Sequence, residues 1–284
     1  MNVGISRAQA MRLLIAAIGI ALSIATLAAQ GEAPAGRGGR GQGAPGGQGG
    51  RGGQQAPASA RAAAPIDLTG YWVSLVTDDW RWRMVTPPKG DVNFIPVTDA
   101  ARRAAQEWDP AKDEAAGDAC KGYGAGGIMR LPGRLHITWD GDNVLKMEID
   151  NGTQTRLFTF GNPQPPSGEP TWQGFSVANW ELPGAARGRR GGGPAAGPRP
   201  GSTLKVLTTR MRPGYWQKNG VPYSGNAVMT EWFTTITEPD GSTYLLATKL
   251  LEDPQYIQGG YYRTVQFKKQ NDATGWNPQP CSAR

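Results

Sequence analysis

The fold is decided by residues 133–161, which read GRLHITWDGDNVLKMEIDNGTQTRLFTFG. Leu135, Ile137 and Trp139 alternate with polar side chains, which is the pattern of a half-buried β-strand. Two further alternating runs follow, and turn-forming residues at 140–143 and 150–153 separate the three runs. Because Asn-Gly between alternating runs is a strong signal for a tight hairpin, this stretch predicts a three-stranded meander.

The period-two pattern continues on both sides of the meander. Further strands are predicted at 68–75, 80–85, 172–181, 203–212, 227–236, 243–251 and 259–269. One short helix is predicted over residues 100–108, because Thr98 or Asp99 can cap its first turn and Pro110 ends it. Nine or ten antiparallel strands with one helix indicate an all-β domain, either a closed calycin-like or lipocalin-like barrel or a two-sheet β-sandwich.

The N-terminal residues have the composition of an export signal. Arg7 and Arg12 precede an uncharged apolar run at 13–29, which ends in the small residues Ala28 and Ala29. This run is shorter than the roughly 20 residues that span a bilayer, so cleavage is favoured over retention as an anchor. The sequence predicts a signal peptide at 1–30 and a periplasmic or secreted protein with no stable membrane span after cleavage.

Two Gly/Arg/Pro-rich tracts contain few side chains that could form a core. They predict a disordered linker at 31–65 and a disordered loop at 184–201 inside a single β domain at 66–284. The chain has a net charge of +7, but without the N-terminal segment and both tracts it is slightly acidic. The high pI therefore comes from these segments and not from the folded domain. No nucleic-acid partner is predicted, while loose contact of the basic tracts with anionic envelope polymers is compatible with this charge distribution.

Cys120 and Cys281 are the only cysteines, and an exported protein matures where disulfides form, so they are predicted to be bonded to each other. His136 is the only histidine, which excludes zinc sites built from several imidazoles. No metal and no cofactor is predicted.

Residues 79–83 combine acidic, aromatic and basic side chains that could bind a ligand. In the predicted strand 80–85, Trp80 and Trp82 would share one face, while Arg81 and Arg83 would share the other. If the arginines faced inward, two guanidiniums could hold a carboxylate or another anion. If the tryptophans faced inward, they would offer an aromatic platform. A core tryptophan pair with solvent-facing arginines is the structural alternative.

Three functions remain open at this stage, and whether the protein is an enzyme is not decided. A binding protein would hold a small amphipathic or aromatic ligand in a cavity lined by aromatic and arginine side chains. The residues predicted to line it are Trp72, Trp80, Arg81, Trp82, Arg83, Arg130, Trp139, Tyr223 and Trp232.

A hydrolase, lyase or isomerase would instead use Glu231, Asp79 or His136 as acid or base, with an arginine as charge stabiliser. A buried pair between Glu231 and an arginine would equally suit a structural role. The third possibility is a structural or interaction module of the envelope that adheres through its basic tracts.

Gly70-Tyr71-Trp72 resembles the Gly-x-Trp motif that opens lipocalin and other calycin barrels. In those folds the tryptophan closes the barrel floor beneath an arginine of the last strand, and the resemblance implies that role for Arg263.

From about Asp67 to Lys269 the chain also resembles a large group of exported bacterial proteins of unassigned activity. The resemblance rests on DLTGYW at 67–72, IMRLP at 128–132 after Cys120, PTWQGFS at 170–176, WE at 180–181, PYS at 222–224 and EDPQY at 252–256. It implies that residues 184–201 are an insertion at a hairpin tip. Relatives often carry histidine where this chain has Phe175 and Tyr223, so a cluster of two histidines with Glu231 is not available here.

Overall fold

The computed structural model describes residues 58–77, 79–92, 94–184 and 199–284. The predicted signal peptide, residues 31–57 of the predicted linker and residues 185–198 of the predicted loop lie outside the described residues. Within the described ranges, none of the helices combines the length and the apolar character needed to cross a bilayer.

Eleven strands and a few short helices make up the described chain. The strands are β1 (Gly70–Leu75), β2 (Arg134–Trp139), β3 (Val144–Ile149), β4 (Gln154–Phe160), β5 (Phe175–Glu181), β6 (Thr203–Thr209), β7 (Gly214–Gln217), β8 (Val221–Tyr223), β9 (Val228–Thr237), β10 (Thr243–Glu252) and β11 (Gly260–Gln270). The helices are α1 (Trp80–Arg83), α2 (Asp99–Glu107), α3 (Pro110–Ala115) and α4 (Ala125–Ile128), with a 3₁₀ helix at Ala119–Tyr123. The predicted helix corresponds to α2, whose N-cap Thr98 accepts a hydrogen bond from the Ala101 amide.

Nine of the strands form a closed barrel in the order β1-β11-β10-β9-β6-β5-β4-β3-β2. The predicted barrel is confirmed and the sandwich alternative is wrong. The meander β2-β3-β4 is also confirmed, as is the hairpin of β5 and β6 that carries the second tract. Only β4 and β5 pair in parallel, through residues 158–160 and 176–178. A closed ring of purely antiparallel neighbours needs an even number of strands, so nine strands require such a parallel pair.

The predicted strand at 80–85 is wrong, because residues 80–83 form helix α1. An extra strand after β1 would need an open sheet edge, and β1 is already paired with β11 on one side and β2 on the other. The chain therefore leaves the barrel after β1 and builds a helical insertion, residues 76–133. The hairpin β7–β8 was not predicted, and it packs on this insertion.

The insertion and the β7–β8 hairpin together cover one end of the barrel, which we call the capped end. Two hydrophobic clusters result. The first fills the barrel and consists of buried side chains that include Trp72, Leu135, Ile137, Leu145, Phe158, Val206, Phe233, Leu245 and Phe267. The second lies under the cap and includes Val97, Ala105, Met211, Trp216, Tyr223, Met229, Leu251 and Ile257.

The opposite end of the barrel is contacted by residues 58–65, which composition alone assigns to the linker. The indole N–H of Trp180 donates to the carbonyl of Ala60 at 3.0 Å, and the Ala60 amide donates to the side chain of Asn143 at 2.9 Å. The amide of Arg61 bonds the carbonyl of Asp142 at 3.0 Å. Residues 58–65 therefore pack on the barrel, although composition alone assigned them to the linker.

The predicted disulfide between Cys120 and Cys281 is confirmed. It joins the 3₁₀ helix of the cap to the C-terminal segment after β11. That segment also pairs with the turn between β3 and β4, where the Gln279 amide donates to the Asp150 carbonyl at 2.9 Å. The bridge thus holds together parts of the chain that are 161 residues apart in sequence.

Trp72 is fully buried in the barrel, and its indole N–H donates to the carbonyl of Leu68 at 3.0 Å. The cation from β11 that lies over its ring is Lys269, at 5.3 Å from the ring centroid. The role implied for Arg263 is wrong, because that side chain forms an ion pair with Asp79 instead. Lys269 is opposite Trp72 in the register of β1 and β11, whereas Arg263 lies near the start of β11, at the capped end.

Candidate functional site

Strand alternation carries three charged side chains into the barrel at its capped end. Arg156 shares the inward face of β4 with Phe158, Glu231 lies between Met229 and Phe233 on β9, and Lys249 lies between Ala247 and Leu251 on β10. Each of the three is at most 1% exposed. Sequence reasoning missed Arg156 and Lys249, although the signal was present: each is a charge at an apolar position of an alternating strand.

Arg156 and Glu231 form a bidentate ion pair. The Nη1–Oε1 distance is 3.0 Å and the Nη2–Oε2 distance is 2.5 Å. Beside them, the hydroxyls of Ser176 and Thr208 are hydrogen-bonded at 2.8 Å. Because Met229 belongs to the cap cluster and Phe233 to the barrel cluster, Glu231 lies where the two hydrophobic clusters meet. We call these four residues the polar layer.

Lys249 lies at the same boundary and faces the cap. Its Nζ donates to the carbonyl of Gly126 at 2.9 Å and lies 4.1 Å from the ring centroid of Trp216. Burial lowers the pKa of Lys249 well below its usual value of 10.5; the charge of Glu231 opposes this shift, and three arginines reinforce it. Those arginines are Arg130, Arg156 and Arg83. The region under the cap therefore favours negative charge.

Replacing Lys249 by methionine should stabilise the protein and change its pH dependence. The unfolded chain protonates this lysine below about pH 10.5, whereas the folded chain does so only at a lower pH. Stability therefore rises with pH between the lowered folded-state pKa and about 10.5. Lys249→Met should remove this rise and increase the free energy of unfolding at neutral pH by about 1 kcal/mol. Urea unfolding at several pH values measures both effects. The exposed Lys205→Met is the matched control, and an equal pH slope in both variants would contradict the argument.

A small cleft opens beside this region at the capped end; its cavity is about 30 Å³ and is partly open to solvent. We call it the mouth cleft. It is lined by Trp82, Arg83, Val85, Thr86, Pro87, Gly122, Gly127, Arg130, Leu131, Trp216, Gln217 and Lys218. Helix α1, the segment after α4 and strand β7 with its turn thus supply most of its wall.

Arg83 is held mainly by backbone carbonyls, and Arg130 is held by a carboxylate. Arg83 donates from Nε to the carbonyl of Arg130 at 2.9 Å, from Nη1 to the carbonyl of Leu75 at 2.8 Å, and from Nη2 to Ser74 Oγ at 2.7 Å. Arg130 forms an ion pair with Asp79, with an Nη1–Oδ2 distance of 3.4 Å. Both side chains are more than nine-tenths buried, so their charges act in a medium of low dielectric constant.

The cleft wall also contains polar groups that the fold does not use. Within the described part of the chain, the indole N–H of Trp216 and both polar atoms of the Gln217 side chain lack a hydrogen-bond partner. Trp216 is fully buried and Gln217 is 5% exposed. Since a buried polar group without a partner costs about 1–3 kcal/mol, these groups are suited to a bound molecule.

The structure brings Trp82, Arg83 and Arg130 together in the mouth cleft, but the nine predicted ligand residues do not share one cavity. Trp72 and Trp139 pack with the barrel cluster, and Tyr223 is buried in the cap cluster. The other three residues lie elsewhere: Trp80 and Arg81 are exposed on α1, and Trp232 is part-buried beside Lys205. The prediction assumed that tryptophans line a hollow barrel, whereas the barrel interior is filled with packed side chains.

The acid and base candidates are also separated. Glu231 is inside the barrel, where Arg156 engages both of its carboxylate oxygens. Asp79 pairs with Arg130 and Arg263. His136 does not point into the barrel; its ring stacks on Tyr71 with centroids 4.1 Å apart, and its Nδ1 lies 3.1 Å from Glu148. Glu231 and His136 therefore cannot act on the same bound molecule in this arrangement.

Among the described residues, no group of three or more histidine, cysteine, aspartate or glutamate side chains is arranged to hold a metal ion. Comparisons of the chain with protein-family models, with curated proteins and with solved structures found no match.

Proposed function

We propose that this protein is exported and binds a small amphipathic organic anion, such as a carboxylate with an apolar body, in the mouth cleft. One observation carries the proposal: the cleft combines two buried arginines with a buried indole N–H and a buried amide that have no hydrogen-bond partner among the described residues. A carboxylate would accept hydrogen bonds from these donors and balance the excess of positive charge.

The chemistry of the remaining wall supports an apolar body for the ligand. Trp82, Val85 and Leu131 line the same cleft and offer apolar contact area beside the cationic groups. Binding sites for small molecules commonly pair such apolar walls with a few placed polar groups that orient the ligand. The cleft is small, so it suits the charged head and adjoining carbons, while the rest of the ligand would extend past the part-buried Trp82 toward solvent.

Binding is favoured over the enzyme alternative by the state of the carboxylates. A general acid or base needs a free oxygen within reach of the reacting proton. Glu231 is 1% exposed, and Arg156 donates to both of its oxygens, so neither oxygen is free to exchange a proton with a substrate. Asp79 is likewise engaged by two arginines, Arg130 and Arg263.

Gln217→Leu should separate binding from folding. The substitution removes two buried polar atoms that have no partner among the described residues, so the free energy of unfolding should stay equal or increase. The affinity for decanoate should fall about tenfold, because hydrogen bonds to a charged group contribute roughly 1.5–3 kcal/mol. Isothermal titration calorimetry with decanoate, and with decanol as the neutral analogue, measures the effect.

Gln270→Leu provides the control, since this glutamine is also partly unsatisfied but lies at the far end of β11. It should leave decanoate binding unchanged. Arg130→Gln should also weaken decanoate binding, and its unfolding curve should be measured in parallel because the arginine is buried. Equal binding of decanoate and decanol, or no binding of either, would contradict the proposal.

A further inference from the structure

Four exposed apolar side chains are concentrated at the capped end. Of the nine large hydrophobic side chains that are exposed in the described chain, Trp80, Met84, Val85 and Phe94 fall within fifteen consecutive residues. They are 61%, 59%, 63% and 82% exposed, respectively. We call these four side chains the apolar rim. Several exposed apolar side chains on one short segment of a folded domain are a feature of interaction surfaces, whereas single ones scattered over the surface are not.

The local structure fixes the exposed position of the apolar rim. Asp79 adopts a left-handed conformation with φ of 59°, which turns the chain as helix α1 begins. Arg83 on the same helix is anchored to β1 through the carbonyl of Leu75 and the hydroxyl of Ser74. Phe94 packs edge-on against Trp82 with centroids 6.1 Å apart. The exposure of the rim thus results from a defined local structure.

The basic and acidic side chains of this segment differ in their exposure and in their partners. The exposed charged side chains are basic, namely Arg81 and Lys89. The carboxylates are engaged by neighbours: Asp79 pairs with Arg130 and Arg263, and Asp91 accepts a bond from the indole of Trp82 at 3.4 Å. The segment therefore presents apolar and positively charged side chains to its surroundings.

We infer that the apolar rim docks on the surface of a bilayer that contains anionic phospholipids. Tryptophan and phenylalanine insert favourably at the boundary between headgroups and acyl chains, and lysine and arginine beside them attract the negative headgroups. Each basic residue near such a surface strengthens the attraction to it. Because Trp82 and Val85 also line the mouth cleft, docking would bring the cleft to the level of the headgroups.

Tryptophan quenching by bromine-labelled lipid tests this inference on the full chain. All ten tryptophans lie at residue 72 or later, so quenching reports on the folded domain and not on the N-terminal segment. The vesicles contain equal parts of phosphatidylcholine and phosphatidylglycerol, with bromine on the acyl chains. Met84→Ser/Phe94→Ser retains every tryptophan and should reduce the quenching to about a third of the wild-type value, because two anchoring side chains are lost.

Leu157→Ser/Leu207→Ser is the matched control, since these leucines are exposed on the barrel strands β4 and β6 and the variant also retains all tryptophans. Its tryptophan fluorescence should be quenched to the same extent as that of the wild type. The inference is overturned if the wild type shows no quenching, if both variants lose it equally, or if light scattering shows that the rim instead joins two copies of the chain. Met84→Ser by itself leaves the contact between Phe94 and Trp82 in place, so it should reduce the quenching without changing decanoate binding, which keeps the lipid and ligand results independent.

Discussion

Replacing Cys120 and Cys281 together by serine should lower the free energy of unfolding by about 5 kcal/mol. The disulfide joins residues that are 161 positions apart, and a cross-link over so long a loop removes much of the conformational entropy of the unfolded chain. For a domain of this size the loss corresponds to a decrease in Tm of about 10–20 °C. Urea unfolding followed by tryptophan fluorescence measures the change.

The effect should come from the bridge and not from the serine side chains. Treating the wild type with a reductant should therefore reproduce the loss, while the double variant should not respond to the reductant. Limited proteolysis should cut first in the C-terminal segment after β11, because the bridge ties that segment to the 3₁₀ helix of the cap. A change in stability below about 1 kcal/mol would show that the other contacts of this segment suffice.

The second large effect concerns the buried ion pair. Glu231→Leu should cost about 3–5 kcal/mol, because it leaves the guanidinium of Arg156 buried without its carboxylate. The double replacement Arg156→Met/Glu231→Leu should recover most of this loss, since a buried pair and apolar side chains of similar volume often have similar stability. Unfolding free energies of the wild type, both single variants and the double variant complete the thermodynamic cycle.

An exposed ion pair on the same barrel serves for comparison. Lys205 and Glu181 lie 3.3 Å apart and are both more than 40% exposed, so Glu181→Leu should change stability by less than about 1 kcal/mol. If Glu231→Leu were as mild as Glu181→Leu, the polar layer would not stabilise the fold. If Glu231→Leu abolished decanoate binding without loss of stability, Glu231 would belong to the ligand site instead.

The site was only partly predictable. Trp82, Arg83 and Arg130 were among the predicted ligand residues, because their chemistry is visible in the sequence. Trp216 and Gln217 were not, since nothing local to them indicates that their polar atoms would be buried without partners. Arg156 and Lys249 were overlooked, although each stands on the apolar face of its strand. A charge at such a position predicts a buried polar partner, but the sequence does not say which partner.

The sequence by itself determined the nine strands of the barrel, the meander, helix α2 and the pairing of the two cysteines. Period-two alternation, turn residues and helix caps act over a few neighbouring positions, and two cysteines allow a single intramolecular bridge. Only the tertiary structure decided that residues 80–83 are helical, because β1 has no free edge once the barrel closes. It also decided which charges meet: Arg156 and Glu231 are 75 positions apart and come together only through the wrapping of the sheet.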